Sequence, residues 1–244
     1  MRSRGVTARV PGKVNLQLSV GPLGKDGYHE VTTVFQAISL FDDVSVATAP
    51  VGNGLSIDIT GQTSNGVPAD SSNLAIRAAE LMIKTYDLPT DLVIKLKKEI
   101  PVAGGMGGGS ADAAAAVMAA DAIWNTGVAG DKIFTLAGQV GADVPFALLG
   151  GVAIGTGKGH KLSSVSGVKK FHWVLVTTVE GLSTPEVYAG LDGLRKARGE
   201  DPRNQPKPQV PVELIKALQS GDAKRLAPLL KNDLQEAALS LMPK

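Results

Sequence analysis

The chain contains no cysteine. This excludes a disulfide scaffold, a thiolate metal site and a cysteine nucleophile, and it is compatible with a reducing compartment. Histidine is scarce: His29, His160 and His172 lie far apart, with no H-x-x-x-H pair and no Ser-His-Asp order. Neither sign of charge dominates. With 25 Lys and Arg against 23 Asp and Glu, the formal net charge is +2, which gives no electrostatic case for a nucleic-acid partner. Long apolar runs are missing as well. Met1-Arg2-Ser3-Arg4 opens with positive charge, but Gly12, Lys13 and Asn15 interrupt the stretch after it, unlike a signal peptide. The alanine run around Ala113 is short and lies between Asp112 and Asp121, so it does not span a bilayer. The expectation is a soluble cytoplasmic protein with neither nucleic acid nor membrane as partner.

What is present is a globular composition. The 244 residues are 43% hydrophobic and 20% charged, and the 29 glycines follow no collagen period. That suits one large domain or two small ones with a real core. Residues 6–10, 14–20, 31–40, 44–46 and 55–59 read as strands, with turns at 21–27 and 50–54. Ser71, Ser72 and Asn73 offer N-caps for a helix whose Leu74, Ala78, Leu81 and Met82 recur at helical spacing. Residues 92–96 alternate as a strand. Pro101 ends it, and a glycine-rich loop leads into an alanine-dominated helix over 110–124. A helix over 131–140 and a short strand at 152–154 come next. Residues 173–178 predict a strand that opens a second domain, with a boundary near 160–170. Helices are predicted over 185–198, 212–219, 222–231 and 232–241, and a Pro-rich loop over 198–210.

The sharpest chemical feature is Pro101-Val102-Ala103-Gly104-Gly105-Met106-Gly107-Gly108-Gly109-Ser110-Ala111, between a strand and a helix. Glycines let backbone N–H groups approach an anion, and the helix behind adds unpaired N–H donors and its positive dipole end. Together these make a phosphate cradle. A tightly packed turn is the alternative, although five glycines in the six positions 104–109 are excessive for that. The loop is neither a Walker A motif, since Ser110 stands where Lys is required, nor a G-x-G-x-x-G fingerprint. In Pro11-Gly12-Lys13-Val14-Asn15-Leu16, Lys13 and Asn15 share one face of a strand, which by itself also fits a solvated edge. Asp143, among small and apolar residues just before Val144-Pro145, is either a turn or N-cap residue or a carboxylate ready to accept a hydroxyl proton. In Asp26-Gly27-Tyr28-His29-Glu30, His29 on its own reads as a structural hydrogen-bonding residue.

Taken together, these segments and Gly141-Ala142-Asp143-Val144-Pro145-Phe146 resemble the GHMP kinase superfamily from about residue 6 onward. The pair Pro11–Leu16 and Asp26–Glu30 points within it to kinases whose small-molecule substrate carries a cytidine diphosphate group. The resemblance implies an α+β, two-domain fold. Residues 1–165 would form an ATP-binding domain like domain 2 of ribosomal protein S5, and 166–244 an incomplete ferredoxin-like domain. It implies transfer of a phosphoryl group from ATP, with Mg²⁺, to the 2-hydroxyl of a cytidylated methylerythritol, in the non-mevalonate route to isoprenoids. Asp143 would be the general base. Lys13 would hold it ionised and stabilise the transferred phosphoryl, and the loop Pro101 to Ala111 would wrap the ATP phosphates. Asn15, Tyr28, His29, Thr184 and Tyr188 would contact the substrate, with His29 on the cytosine edge and Tyr28 and Tyr188 sandwiching the base.

The family pattern also has a third, C-terminal glycine-rich loop with closing strands after it. None is found before Met242-Pro243-Lys244, so on the order of 60 residues of the second domain are expected to be absent, consistent with its small size. Another small-molecule kinase of the superfamily and a truncated, inactive remnant are the alternatives. Monomer and homodimer are both left open.

Overall fold

The structure is a computed structural model that describes residues 5–128, 130–178 and 181–242. The chain forms two compact units. One comprises Met1–Lys13, Ile38–Val102 and Met106–Leu149, the other Val14–Ala37, Ala103–Gly105 and Gly150–Lys244. Two long strands, β1 (Gly5–Leu23) and β2 (His29–Thr48), contribute residues to both.

The first unit adds β3 (Leu55–Thr60), β4 (Leu92–Lys97) and four helices, α1 (Leu74–Tyr86), α2 (Gly108–Trp124), α3 (Asp131–Val140) and α4 (Val144–Leu149). Strand β4 lies between β2, to which it is antiparallel, and β3, to which it is parallel; Ile94 stands opposite Val46 on one side and Ile57 on the other. The alternation read in residues 92–96 is what orients β4. Leu92, Ile94 and Leu96 are buried while Lys95 and Lys97 face outward, and each such burial contributes roughly 1.5–3 kcal/mol. Asn73 caps α1 as expected: its side-chain oxygen accepts from the Ala75 N–H at 2.9 Å, and its amide donates to the Pro68 carbonyl at 2.7 Å. Helix α2 is apolar almost all round, with Ala111, Ala113, Ala114, Ala115, Ala116, Ala119 and Ala120 buried. Such a helix is covered on most sides rather than on one stripe. Together with β1, β2 and β4 and the inner faces of α1, α3 and α4 it forms one continuous core.

The second unit adds β5 (Val152–Thr156), antiparallel to β2, and β6 (Lys161–Ser164), antiparallel to β5. A two-residue β7 (Lys231–Asn232) runs parallel to β1, with Gln17 opposite Lys231. Its helices are α5 (Thr184–Ala197), α6 (Val212–Ser220), α7 (Ala223–Leu226), which continues into a 3₁₀ turn (Ala227–Leu229), and α8 (Gln235–Leu241). Pro185 in the first turn of α5 suits a position whose N–H lacks an intrahelical partner. The core is divided into two small clusters. One joins Leu16, Val34 and Val152 to Leu214, Leu218 and Leu226; the other joins Val20 and Val31 to Val187, Leu191 and Ala237.

The α+β reading stands, and five element expectations change. The strands expected at 6–10 and 14–20 are one strand, β1, and those at 31–40 and 44–46 are one strand, β2. Pro11 and Gly12 do not break β1, because the Lys13 N–H is satisfied by the carbonyl of Met106, at 2.9 Å, instead of by a ladder. The strand expected over 173–178 is not formed: these residues have no ladder partner among the described residues, and Val174 and Val176 are each 92% exposed. A β-prone run becomes a strand only where another edge accepts its hydrogen bonds. The helix expected over 222–231 is limited to α7 and the 3₁₀ turn, and the one over 232–241 starts at Gln235. Among the described residues, no helix is long and apolar enough to cross a membrane.

Candidate functional site

In the first unit, Met106 and Gly107 of the glycine loop bring a backbone carbonyl, a lysine and a carboxylate together. Lys13 is 8% exposed, so it is not on a solvated strand face. Its ammonium lies 3.4 Å from Asp143 Oδ2. Asp143 stands immediately before α4, where its carbonyl accepts the Ala147 N–H, so it is both the turn residue and the lysine's ion-pair partner. Gly107 closes the arrangement. It opens α2 with φ +70°, and a Cβ there would come within 3.2 Å of Lys13 Cγ and 3.9 Å of Asp143 Oδ2. A side chain at Gly107 would be strained in backbone and would crowd the pair. The Ala111 N–H returns to the Gly107 carbonyl at 2.8 Å, so α2 begins here and aims its first N–H groups into the loop. Ala103 takes φ +54°, a left-handed conformation costing about 1–3 kcal/mol outside glycine and typical of ligand loops.

Beneath this loop lies a buried ionic cluster that the sequence reading missed. The Lys98 ammonium is hydrogen-bonded to Asp42 Oδ2 and lies 2.8 Å from Asp112 Oδ2. Asp42 and Lys98 are 0% and 2% exposed, and Asp112 2%. Asp42 Oδ1 accepts the N–H groups of Glu99, at 2.6 Å, and Ile100, at 2.9 Å. A Cβ on Gly108 would lie 2.7 Å from Lys98 Nζ, so only glycine leaves the ammonium its place. Burial pushes the Asp112 carboxyl up to about 7. Lys98 opposes the shift, and the negative charge of Asp42 adds to it. The signal was available: Asp112 is one of two carboxylates in a helix dominated by alanine.

In the second unit the aromatic residues expected at the substrate divide into two groups. Tyr28 is 61% exposed, at the turn between β1 and β2. Lys158 Nζ lies 3.6 Å from its ring centroid and 2.9 Å from Asp26 Oδ2, a cation–π contact with a carboxylate anchor. His29 is buried and stacks on Tyr188, with centroids 5.6 Å apart and planes 23° apart. Its Nδ1 faces the Gly21 carbonyl at 3.1 Å and its Nε2 faces Asp192 at 3.2 Å. The ring nitrogens expected at a cytosine edge therefore each have an acceptor of the protein itself. Arg195 donates to the Val20 carbonyl at 2.6 Å and ties α5 to the end of β1. Tyr188, Asp192 and Arg195 stand at i, i+4 and i+7, a helix-face pattern that could have been read from the sequence. Asn15 donates to Thr33 Oγ1 at 2.7 Å, and Thr184 is the first residue of α5.

Comparison with known proteins places the chain in a family. Residues 73–151 match the GHMP kinases N terminal domain. The chain is similar to the 4-diphosphocytidyl-2-C-methyl-D-erythritol kinase of Mycolicibacterium vanbaalenii, with 52% identity over 97% of this chain and 72% of the relative. It is also similar to the kinase of that name from Rhodococcus jostii, with 50% identity over 98% of this chain and 75% of the relative. Among solved structures it is similar to a 4-(cytidine 5'-diphospho)-2C-methyl-D-erythritol kinase, with 32% identity, a TM-score of 0.67, and coverage of 98% of this chain and 79% of that one. An L. major mevalonate kinase shares the fold, with a TM-score of 0.72 at 18% identity, over 98% of this chain and 77% of that one.

Proposed function

Since the chain belongs to the 4-diphosphocytidyl-2-C-methyl-D-erythritol kinase family, within the GHMP kinases, we propose that the glycine loop, Lys13 and Asp143 carry its phosphoryl transfer. The reaction moves a phosphoryl group from ATP to the 2-hydroxyl of 4-diphosphocytidyl-2-C-methyl-D-erythritol, a step towards isoprenoids. The observation that carries the reading is the Lys13–Asp143 pair held against Gly107 and the loop. Phosphoryl transfer asks for positioning and charge stabilisation more than covalent chemistry. The glycine loop and the first turn of α2 hold the phosphates on N–H groups. Asp143 receives the hydroxyl proton as the new bond forms. Lys13, close to both the loop and the carboxylate, offsets the charge on the group in transit. No group of three His, Cys, Asp or Glu that could cage a metal is present among the described residues. Mg²⁺ belongs to this proposal as a counter-ion held mostly by the triphosphate and water, and when bound it neutralises phosphate charge.

Asn15, Tyr28, His29, Thr184 and Tyr188 are proposed to form the substrate side. Tyr28 offers an exposed ring for the base, and the stacked His29–Tyr188 pair a pre-ordered aromatic wall. The proposed division of labour puts nucleotide and base in residues 1–165 and the segment containing Thr184 and Tyr188 in 166–244. A cytoplasmic setting and a soluble substrate belong to the same proposal.

The test is ADP release by the full chain offered the cytidyl substrate, homoserine or mevalonate. Turnover with the cytidyl substrate alone is expected. Turnover with another alcohol would move the protein elsewhere in the superfamily, and turnover with none would make it an inactive remnant.

A further inference from the structure

The cluster beneath the loop holds two carboxylates, Asp42 and Asp112, and one ammonium, Lys98, all buried. Its bonds are unequal. Asp42 has the lysine and two backbone N–H groups. Asp112 has the lysine through Oδ2, while its Oδ1 is buried with no hydrogen-bond partner. A buried carboxylate with one oxygen unsatisfied is poorly compensated when ionised. With all three groups charged, the cluster carries a net charge of −1.

Its position gives that charge a consequence. Lys98 stands three residues before Pro101, where the loop begins. Asp42 fixes the N–H groups of Glu99 and Ile100. Asp112 lies near the N-terminus of α2, whose first N–H groups end the loop. An ionised Asp112 and a bound triphosphate would therefore draw on the same positive helix end and repel each other through a poorly screening interior.

We propose that Asp112 is a positioning residue of the phosphate loop, which takes up a proton as the triphosphate binds, so that the Asp42–Lys98–Asp112 cluster becomes neutral beneath the bound anion. Lys98 and Asp42 are the titratable groups that act on it, from the end of β4 and from β2. Burial, which already places the carboxyl at about 7, supports this, because near neutral pH the free protein has room to gain the proton. The inference rests on the reading of the loop as the ATP site.

The experiment is calorimetric titration of the full chain with ATP at pH 7 in buffers of different ionisation enthalpy, on the wild type and on Asp112→Asn. The nucleotide's own proton exchange is common to both and cancels. The wild type is expected to take up about half a proton more per ATP than the variant, the share left to gain near a group's midpoint. A second measurement needs no variant. The ATP-induced infrared difference spectrum of the wild type should gain the carbonyl stretch of a buried protonated carboxyl. Equal proton counts in the two proteins, or a wild-type spectrum without that band, overturn the proposal. Gly107→Ala separates the two levels: if it binds ATP as the wild type does, the loop reading itself fails, whereas if it loses ATP and the proton counts are still equal, only the role of Asp112 fails.

Discussion

The first unit holds ion pairs in or beside its core, with Lys98 and both of its carboxylates buried, while the second relies more on polar side chains bonded to backbone carbonyls. In the first, Lys98 lies between Asp42 and Asp112, and Lys13 meets Asp143, inside or beside one continuous apolar core. In the second, Gln17 donates to the Gln209 carbonyl, Thr32 to Pro208, and Arg195 to Val20, around two small clusters. A charge network in a dense core fixes the positions of its members, because any displacement leaves an uncompensated charge. That suits a site that must stabilise a short-lived charge. Ties from side chain to backbone hold loops to strands, and they surround rings that pack or stand exposed. That suits recognition of a base.

The largest effect expected from breaking this contrast is at Asp143. Asp143→Asn should lower turnover by ~10²–10⁴, the usual cost of a lost general base, and leave ATP affinity within a few fold. Near-normal turnover would remove the base from the first unit.

Stability should distinguish the units next. Ile94 and Leu214 are both 0% exposed, and truncation of either to alanine should cost ~2–5 kcal/mol. The Leu214→Ala cavity falls in a small cluster. Limited proteolysis of that variant, read by mass spectrometry, should therefore cut first within residues 171–242, while the first unit stays protected. Equal rates of cutting in both units would show that the divided core is no weaker than the continuous one.

A smaller effect is expected on binding. Tyr28→Ala and Tyr188→Ala should each weaken the cytidyl substrate by ~1–3 kcal/mol, the worth of a base–aromatic stack, with ATP affinity unchanged. Equal loss of both ligands in equilibrium titrations would mean that the rings serve the fold.

The last prediction concerns pH. The folded state holds the Asp112 carboxyl at about 7, above its ordinary 3.8. Over that window the folded chain binds a proton that the unfolded chain has released, so this group's contribution to stability falls as pH rises and levels off above about 7. Asp112→Asn should abolish the decline. Its melting temperature should exceed the wild type's at pH 8 and match it near pH 4. A variant less stable than the wild type at pH 8 would contradict the sign.

Helices were legible in the sequence because their bonds and packing pattern are local. The spacing over 131–140 predicts α3 with the observed bounds, and Asn73 is a cap candidate by its place just before the apolar period of α1. The glycine loop was legible for the same reason, since a strand, a run of glycines and an alanine helix are contiguous. Lys13 and Asp143, 130 residues apart, were named through resemblance to a family. Their ion pair, and the burial that separates Lys13 from a solvated strand residue, belong to the tertiary structure. Residues 173–178 show the limit from the other side: they have the composition of a strand but no edge to pair with among the described residues. The Asp42–Lys98–Asp112 cluster is the furthest from local reading, because its members come from β2, the end of β4 and α2. Composition, periodicity and turn residues are properties of neighbours along the chain, and they determined the loop, the apolar faces and most of the helices, though not α4 or the bounds of the helices after residue 220. Which carboxylate meets which ammonium, and whether water reaches them, depends on contacts between distant segments, and only the folded chain decided it.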